Sequence, residues 1–482
     1  MHITLLLRPL AASLLAAVAL LAAAPCVSGE AELKRAIMLS RHGNRVPNEP
    51  TIDFCPAYKS TLEKFYGASG QLTGVGMSEM YQLGAWARHR YVYEKGFLPQ
   101  HYSDDNTLFF QSELEDRNIM STVAFGNGLF PDGTGPRGYL GRRPQVLPIQ
   151  SVTPGYDDLF NSPRDGMCIG RSSKDKKEIA KHLEATLTDE QRSILRKVGE
   201  ACSYNVLNVD KMTHGAFTLP DWVKIIDDSF LFAETESFDM SLDGNLLPKD
   251  LKAFHDFAFD WMMYAFFGTE EQVTYWAGRF PAKLMELFES TPGYKTASEE
   301  GAKEGEGGGG GPLAAAAGNP TKMYVFLNHR ELLYAVLKLF DVPVTLPGHI
   351  PSYLVTASTI VWEVYQEGDE EPYVKTLIWW PTDLEEGDLD KDTNPLINSK
   401  GNYIEVTPTI CESLGGKCPV SKYKEAFQQW VETTGSYKQL CLPYYTPPEP
   451  HVAGQLLEVD SAADVTPNLR GSDATTINQI FA

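Results

Sequence analysis

Residues 41–47 read Arg-His-Gly-Asn-Arg-Val-Pro and follow directly on the apolar segment 36–40, Ala-Ile-Met-Leu-Ser. The apolar segment has the length of a buried β-strand. Open α/β sheets place their functional groups in the loops at the carboxyl ends of such strands. This loop holds His42 between Arg41 and Arg45. Because guanidinium groups match phosphate oxygens and a neutral imidazole can attack phosphorus, the stretch predicts a phosphate site.

Two more strand-like segments end in polar residues of the same kind. Segment 107–111 ends at Ser112, and Arg117 lies in the early turns of a helix predicted from about 113 to 125. Segment 323–327 ends at Asn328 and His329, and a helix is predicted over 330–340. The carboxyl ends of parallel strands meet at one edge of a sheet. We therefore expect His42, Arg117 and His329 to converge in an α/β fold with a mostly parallel sheet and flanking helices.

The remaining segments predict the domain organisation. Apolar spacing indicates helices over 174–201, 219–234, 251–267 and 270–289, with no evident strand among them. We expect a discontinuous α/β domain at 30–150 and 320–445, with a helical cap domain at 151–298 inserted into it. The Gly- and Ala-rich stretch 299–319 is expected to be a disordered loop, and 446–482 an extended tail. Alternation over 356–366 and 373–380 predicts a hairpin.

The N-terminal 29 residues have the pattern of a secretory signal peptide: Arg8, an apolar run over 10–24, and small residues at 27–29. No other segment is long and apolar enough to span a bilayer. Export would allow the six cysteines beyond the signal peptide to form disulfides. The expected location is therefore extracellular or an acidic lumenal compartment, without a stable membrane anchor.

The chain has 482 residues and a net charge of −21, from 42 basic and 63 acidic residues. Such a surface repels nucleic acid, so we expect no nucleic-acid partner. Asp388, Asp390 and Asp392 imitate the start of a calcium loop, but Thr393 and Ser399 stand where its Gly and Glu are needed. We therefore expect no metal and no cofactor.

The stretch 41–47 resembles the Arg-His-Gly-x-Arg-x-Pro signature of the histidine acid phosphatases, the large branch of the histidine phosphatase superfamily. Residues 112–118 also resemble this family, whose pattern there is Ser-Thr-Asp-x-Asp-Arg-Thr, although only some positions agree. The resemblance implies that the chain hydrolyses small phosphate monoesters. His42 would be the nucleophile that forms a phosphohistidine, Arg41, Arg45 and Arg117 would bind the phosphate, and His329 would be a further donor.

The resemblance also implies the disulfide pattern. It suggests Cys168–Cys441, which ties the cap to the tail, while Cys411 and Cys418 are close enough in sequence to bridge locally. Cys55–Cys202 is the remaining pair. A homodimer is compatible with the resemblance.

The sequence departs from the family at the expected proton donor. The family follows its second His with Asp, whereas this chain has Arg330, and Glu331 stands one place further, as in the multiple inositol-polyphosphate phosphatases. Neighbouring helical residues point about 100° apart, so only one of the two can face the crevice. We favour Glu331 as the acid, with Asp116 and Glu113 as alternatives. Besides a broad acid phosphatase, an inositol-polyphosphate or phytase-type phosphatase and a catalytically weak phospho-ligand-binding paralogue stay open.

Overall fold

The computed structural model describes residues 31–445, except 103–105, 136–144, 295–320, 347–352, 383–402 and positions 154, 161, 165, 243, 293 and 345. The predicted signal peptide, the Gly- and Ala-rich loop, the acidic loop at 388–392 and the C-terminal tail lie outside these residues. No helix within the described part is long and apolar enough to cross a membrane.

A mixed sheet forms the centre of the fold. Its strands are β1 (Glu32–Arg41), β2 (Leu108–Ser112), β3 (Ile149–Gln150), β4 (Met323–Asn328), β5 (Thr359–Gln366), β6 (Tyr373–Trp379), β7 (Tyr403–Val406) and β8 (Cys418–Pro419). The order is β3-β2-β4-β1-β5-β6-β7, and β8 pairs with β6. The four strands from β3 to β1 are parallel, while the predicted hairpin, β5 and β6, continues the sheet in antiparallel fashion. The α/β fold class is confirmed.

Helices cover both faces of the sheet and form a further group of their own. They are α1 (Pro50–Phe54), α2 (Lys59–Leu62), α3 (Gly74–Arg88), α4 (Asp116–Leu129), α5 (Ile169–Ala185), α6 (Asp189–Ala201), α7 (Val209–Met212), α8 (Leu219–Thr235), α9 (Pro248–Phe267), α10 (Glu270–Ala277), α11 (Phe280–Glu289), α12 (Arg330–Leu339), α13 (Val420–Thr434) and α14 (Tyr437–Cys441). A π-helix, His89–Glu94, extends α3. Single 3₁₀ turns occur at Pro56–Tyr58, Val206–Asn208 and Leu442–Tyr444, and a longer one at Thr409–Leu414.

Strand β1 is buried on both faces because its side chains alternate between two cores. Ile37 and Leu39 pack into the core that contains α10, α11 and α12, whereas Ala36 and Met38 pack into the core beneath α3 and α4. A third core lies among α6, α8 and α9 and surrounds the buried Trp222. The predicted boundaries of the cap domain stay a prediction.

The structure contains the three disulfides Cys55–Cys202, Cys168–Cys441 and Cys411–Cys418. These are the pairs given by sequence and resemblance. Cys55–Cys202 joins the chain just after α1 to the end of α6, and Cys168–Cys441 joins the start of α5 to α14. Both bridges therefore tie the helical segment to parts of the chain that are distant in sequence.

Candidate active site

The loop after β1 is held between β4 and the segment before β5. The backbone N–H of His42 donates to the carbonyl of Asn328 at 2.9 Å, and the N–H of Ala357 donates to the carbonyl of His42 at 2.9 Å. Gly43 is required because a Cβ there would collide with the carbonyl of Gly76 at the start of α3. The glycine thus serves close packing of the loop against α3.

The imidazole of His42 is buried in one tautomer. Its Nδ1 lies 2.7 Å from the carbonyl of Gly43. A carbonyl can only accept, so Nδ1 carries the proton and Nε2 keeps its lone pair. Burial lowers the pKa of His42 well below its usual value, and His329 and the neighbouring arginines lower it further. The result is a neutral imidazole with a nucleophilic Nε2.

Three predicted arginines surround this ring. Arg41, Arg45 and Arg117 all act on the electrostatics of His42. Arg41 donates to the carbonyl of Leu354 at 2.7 Å, and its buried Nε has no hydrogen-bond partner among the described residues. Arg117 contacts the carboxylate of Glu115, while its own Nε is buried without a hydrogen-bond partner in the part of the chain that the structure describes. Unsatisfied guanidinium donors beside a neutral imidazole form a site for an oxyanion.

Arg45 is fixed more completely than the other two. It donates to Asn48 Oδ1 at 2.7 Å and to the carbonyl of Val46 at 3.1 Å, and its guanidinium lies 4.5 Å from the centroid of Phe232. Burial, reinforced by Arg117, lowers its pKa to about 9. It therefore still carries its charge at acidic and neutral pH.

His329 lies at the end of β4, as predicted. Its ring centroid is 5.1 Å from that of His42, with the planes 75° apart. Its Nε2 is 2.7 Å from Glu113 Oε2, 3.1 Å from Glu115 Oε2 and 3.2 Å from the side-chain nitrogen of Asn118. Burial lowers the pKa of His329 well below its usual value, and Arg164, Arg117, Arg45 and Lys224 act in the same direction.

The two residues after His329 are both buried, and each contacts a charged group. Arg330 pairs with Asp228 at 2.5 Å and donates to the hydroxyl of Tyr353 at 3.2 Å. Glu331 lies 3.5 Å from Lys224 Nζ and 3.8 Å from Arg330 Nε. Burial alone would raise the pKa of Glu331, but Lys224, Arg330 and Arg164 outweigh it, so the pKa is lowered. Glu331 is therefore an ionised carboxylate in the free protein.

Glu113 and Asp116, the two alternative proton donors, differ in their burial. Helix α4 begins at Asp116 and not at 113, because the N–H of Glu113 still pairs with the carbonyl of Leu327 on β4. The side chain of Glu113 is therefore buried at the strand end, in contact with His329 and 3.0 Å from Arg164. Asp116 is exposed on the first turn of the helix.

Sequence reasoning did not identify the residues that support this site. Glu79, on α3, accepts the backbone N–H of Asn44 and the hydroxyl of Thr356, each at 2.7 Å. The Asn44 side chain donates to Glu236 at 2.7 Å. The sequence did carry a signal for Glu79, because it places this glutamate on the packing face of an amphipathic helix. Arg164 and Asp228 lie in segments that carry no recognisable motif.

Glu113, Glu115 and His329 place three potential metal-ligand atoms within 4.8 Å of one another. Each carboxylate already contacts a guanidinium, that of Arg164 or that of Arg117. The positive charge of these arginines opposes a bound cation. We therefore do not assign the cluster as a metal site.

Comparison with known proteins agrees with the resemblance. Residues 32–218 match the family model described as histidine phosphatase superfamily (branch 2). This match confirms the family resemblance for that part of the chain. Lysosomal acid phosphatase of Xenopus laevis is 28% identical over 239 residues, which are 45% of this chain and 52% of that protein. Human prostatic acid phosphatase is 32% identical over 136 residues, 27% of this chain and 32% of that protein. Putative acid phosphatase 10 of Caenorhabditis elegans is 35% identical over 103 residues, 21% of this chain and 24% of that protein.

The chain thus spans about half or less of the length of the curated relatives it matches. Solved structures match over more of the chain. Hafnia alvei phytase in its apo form has a TM-score of 0.58 at 15% identity, covering 84% of this chain and 98% of that one. Klebsiella sp ASR1 phytase has a TM-score of 0.57 at 14% identity with the same coverage. At such identities the similarity shows the shared fold.

Proposed function

We propose, from the match of residues 32–218 to the family model of the histidine phosphatase superfamily (branch 2), that this chain is a phosphomonoesterase of the acid phosphatase type. The observation that carries the proposal is the tautomer of His42. Its Nδ1–H is held by the Gly43 carbonyl, which leaves Nε2 as a neutral nucleophile among arginines. This arrangement suits attack on a phosphoryl group.

In the proposed reaction, Arg41, Arg45 and Arg117 bind the phosphoryl oxygens and neutralise their charge. His42 Nε2 forms a bond to phosphorus while the ester oxygen departs, which gives a phosphohistidine. Water then attacks this intermediate and releases inorganic phosphate. His329 would add a donor to the phosphoryl oxygens. The reaction relies on positioning and electrostatics supplied by the protein's own side chains.

The first test is phosphate release from p-nitrophenyl phosphate in the presence of a chelator, with wild type and His42→Ala. We expect turnover by the wild type and its loss in the variant, with an unchanged thermal midpoint. A labelled phosphoenzyme, trapped at alkaline pH where phosphohistidine survives, should form on wild type only. Turnover by His42→Ala above a few per cent of wild type would overturn the mechanism.

Two other functions are compatible with this site. A phytase-type activity is suggested by the solved phytases that share the fold, and comparison of inositol hexakisphosphate with p-nitrophenyl phosphate tests it. A weakly catalytic phospho-ligand-binding protein is suggested by Arg330 and by the ionised Glu331. We favour the acid phosphatase because the relatives similar in sequence carry that name.

We further propose that the protein works outside the reducing cytosol. The three disulfides support an oxidising compartment, and one relative is named a lysosomal acid phosphatase. Epitope-tagged protein should enter the secretory pathway. After denaturation without reductant, the secreted protein should show no free thiol in a thiol-labelling assay. Self-association stays a prediction, and size-exclusion chromatography with light scattering tests it.

A further inference from the structure

The carboxylates at the site differ in their burial and in the charges around them. Glu331 and Asp228 both have lowered pKa values, since Lys224 and Arg330 outweigh the effect of their burial. Asp116 is exposed to solvent. Glu113 differs from these three, because it is buried and also contacts the ring that faces the nucleophile.

We propose that Glu113 is the general acid that protonates the departing ester oxygen. This inference rests on the proposed phosphatase activity and moves the donor role away from Glu331. It identifies a catalytic residue contributed by the end of β2 and not by the helix that follows His329.

The geometry supports the proposal. Glu113 Oε2 lies 2.7 Å from Nε2 of His329, whose ring is 5.1 Å from that of His42. The same oxygen is 3.2 Å from the side-chain nitrogen of Asn328 and 3.4 Å from that of Asn118. Because the backbone N–H of Glu113 continues the pairing with β4, its carboxyl group is fixed at the strand end.

The electrostatics around Glu113 favour a carboxyl group that still carries a proton at acidic and neutral pH. Burial raises its pKa well above the usual value, and Glu115 and Asp157 add to this effect. Arg164 and Arg117 act in the opposite direction without reversing it. The charged or titratable groups that face Glu113 come from three parts of the chain. They are Arg164 and Asp157 before α5, Glu115 and Arg117 at the start of α4, and His329 before α12.

The proton and the electron pairs balance over the cycle. As the bond from His42 Nε2 to phosphorus forms, the P–O ester bond breaks and its electron pair goes to the oxygen. The proton of Glu113 goes to that oxygen, and the resulting carboxylate is paired with Arg164, 3.0 Å away. When water attacks the phosphohistidine, Glu113 takes up the proton of that water and returns to its starting state.

The test measures how strongly the rate depends on the leaving group. Wild type, Glu113→Gln and Glu331→Gln are assayed on glycerol 2-phosphate, whose alkoxide needs a proton, and on p-nitrophenyl phosphate, whose phenolate needs little. We expect Glu113→Gln to lose about 100-fold or more on the alkyl ester, because removal of a general acid costs about 10²–10⁴-fold in rate, and less than about 10-fold on the aryl ester. Glu331→Gln should slow both substrates by the same factor.

Glu113→Asp serves as the conservative variant and should recover part of the alkyl-ester activity, because it keeps an ionisable acid. Thermal midpoints and the affinity for inorganic phosphate check that each variant is folded with an intact anion site. Equal slowing of both esters by Glu113→Gln would overturn the donor role and leave the phosphatase proposal standing. No turnover of either ester by wild type would instead overturn the proposed function, and this inference with it.

Discussion

Arg330 is paired with Asp228, with 2.5 Å between Nη2 and Oδ1, and both side chains are buried. Asp228 also lies 3.0 Å from Nζ of Lys224. The basic residue that follows His329 is therefore neutralised by helix α8. The charge of Arg330 is thus compensated in the protein interior, and Glu331 is kept ionised beside the same lysine.

We expect Asp228→Asn to lower the free energy of unfolding by about 3–5 kcal/mol, because it leaves the buried Arg330 and Lys224 without their common counter-charge. Chemical denaturation monitored by circular dichroism measures the loss. The matched control is Asp256→Asn, which removes the exposed Lys252–Asp256 pair on α9. That change should cost less than about 1 kcal/mol. Similar losses in the two variants would contradict the importance of the buried pair.

Arg117→Ala should reduce kcat/KM by a factor that corresponds to about 2 kcal/mol or more, the scale for removing one preorganised donor from a developing oxyanion. The reason is that its guanidinium is buried near His42, and no described residue accepts a hydrogen bond from its Nε. Steady-state kinetics on p-nitrophenyl phosphate measures the change.

The control for this variant is Arg279→Ala, which removes an exposed guanidinium paired with Glu286. We expect its kinetics to match wild type. An unchanged rate in Arg117→Ala would mean that this arginine serves only as a partner of Glu115.

Much of the sheet could be predicted from local patterns. The strands around 36–40, 107–111 and 323–327 were predicted to within a few residues, because apolar runs bounded by polar loops leave little choice. The helix predicted over 270–289 is instead two helices, α10 and α11. Gly278 ends the first with a φ of 55°, a conformation that periodicity does not reveal.

The helix predicted over 174–201 is also divided. Thr188 caps α6 and forms a reciprocal pair with Gln191, so the chain turns between α5 and α6. The apolar spacing continues on both sides of this turn, which is why the pattern alone indicated a single helix.

The candidate site shows where local reasoning ends. His42, Arg117 and His329 could be placed together because each follows a strand of one parallel sheet. The ion pairs of the site could not be predicted from the sequence. Arg164 contacts Glu113, and Asp228 contacts Arg330, from distant parts of the chain. Only the packed structure distinguishes an ionised Glu331 from a buried Glu113.

The two disulfide variants Cys55→Ala/Cys202→Ala and Cys411→Ala/Cys418→Ala should differ in stability. The first bridge closes a loop of 147 residues and the second a loop of 7. Loop-closure entropy therefore predicts that the free energy of unfolding falls by about 5 kcal/mol in the first variant and by about 2–3 kcal/mol in the second. Peptide mapping of the unreduced protein checks the pairing first. A larger loss for the short loop would contradict the entropic account.

Glu79 is expected to make the stability of the site loop depend on pH. Its carboxyl group is buried, and burial raises its pKa to about 7, although hydrogen bonds from Thr356 and Asn44 and the charge of Arg41 act in the opposite direction. Glu236 raises the pKa further. Because the folded pKa exceeds the unfolded value, the contribution of Glu79 to stability is fully present below about pH 4.3.

This contribution is lost as pH rises through about 7, where the folded protein must ionise a buried carboxyl group. The measurement is the difference in unfolding free energy between wild type and Glu79→Gln at several pH values, in which the titrations of other groups cancel. We expect wild type to lose up to about 3 kcal/mol relative to the variant between pH 4 and pH 8. A difference that stays constant, or that grows in favour of wild type, would show that Glu79 is ionised beneath the loop and binds Asn44 as a carboxylate.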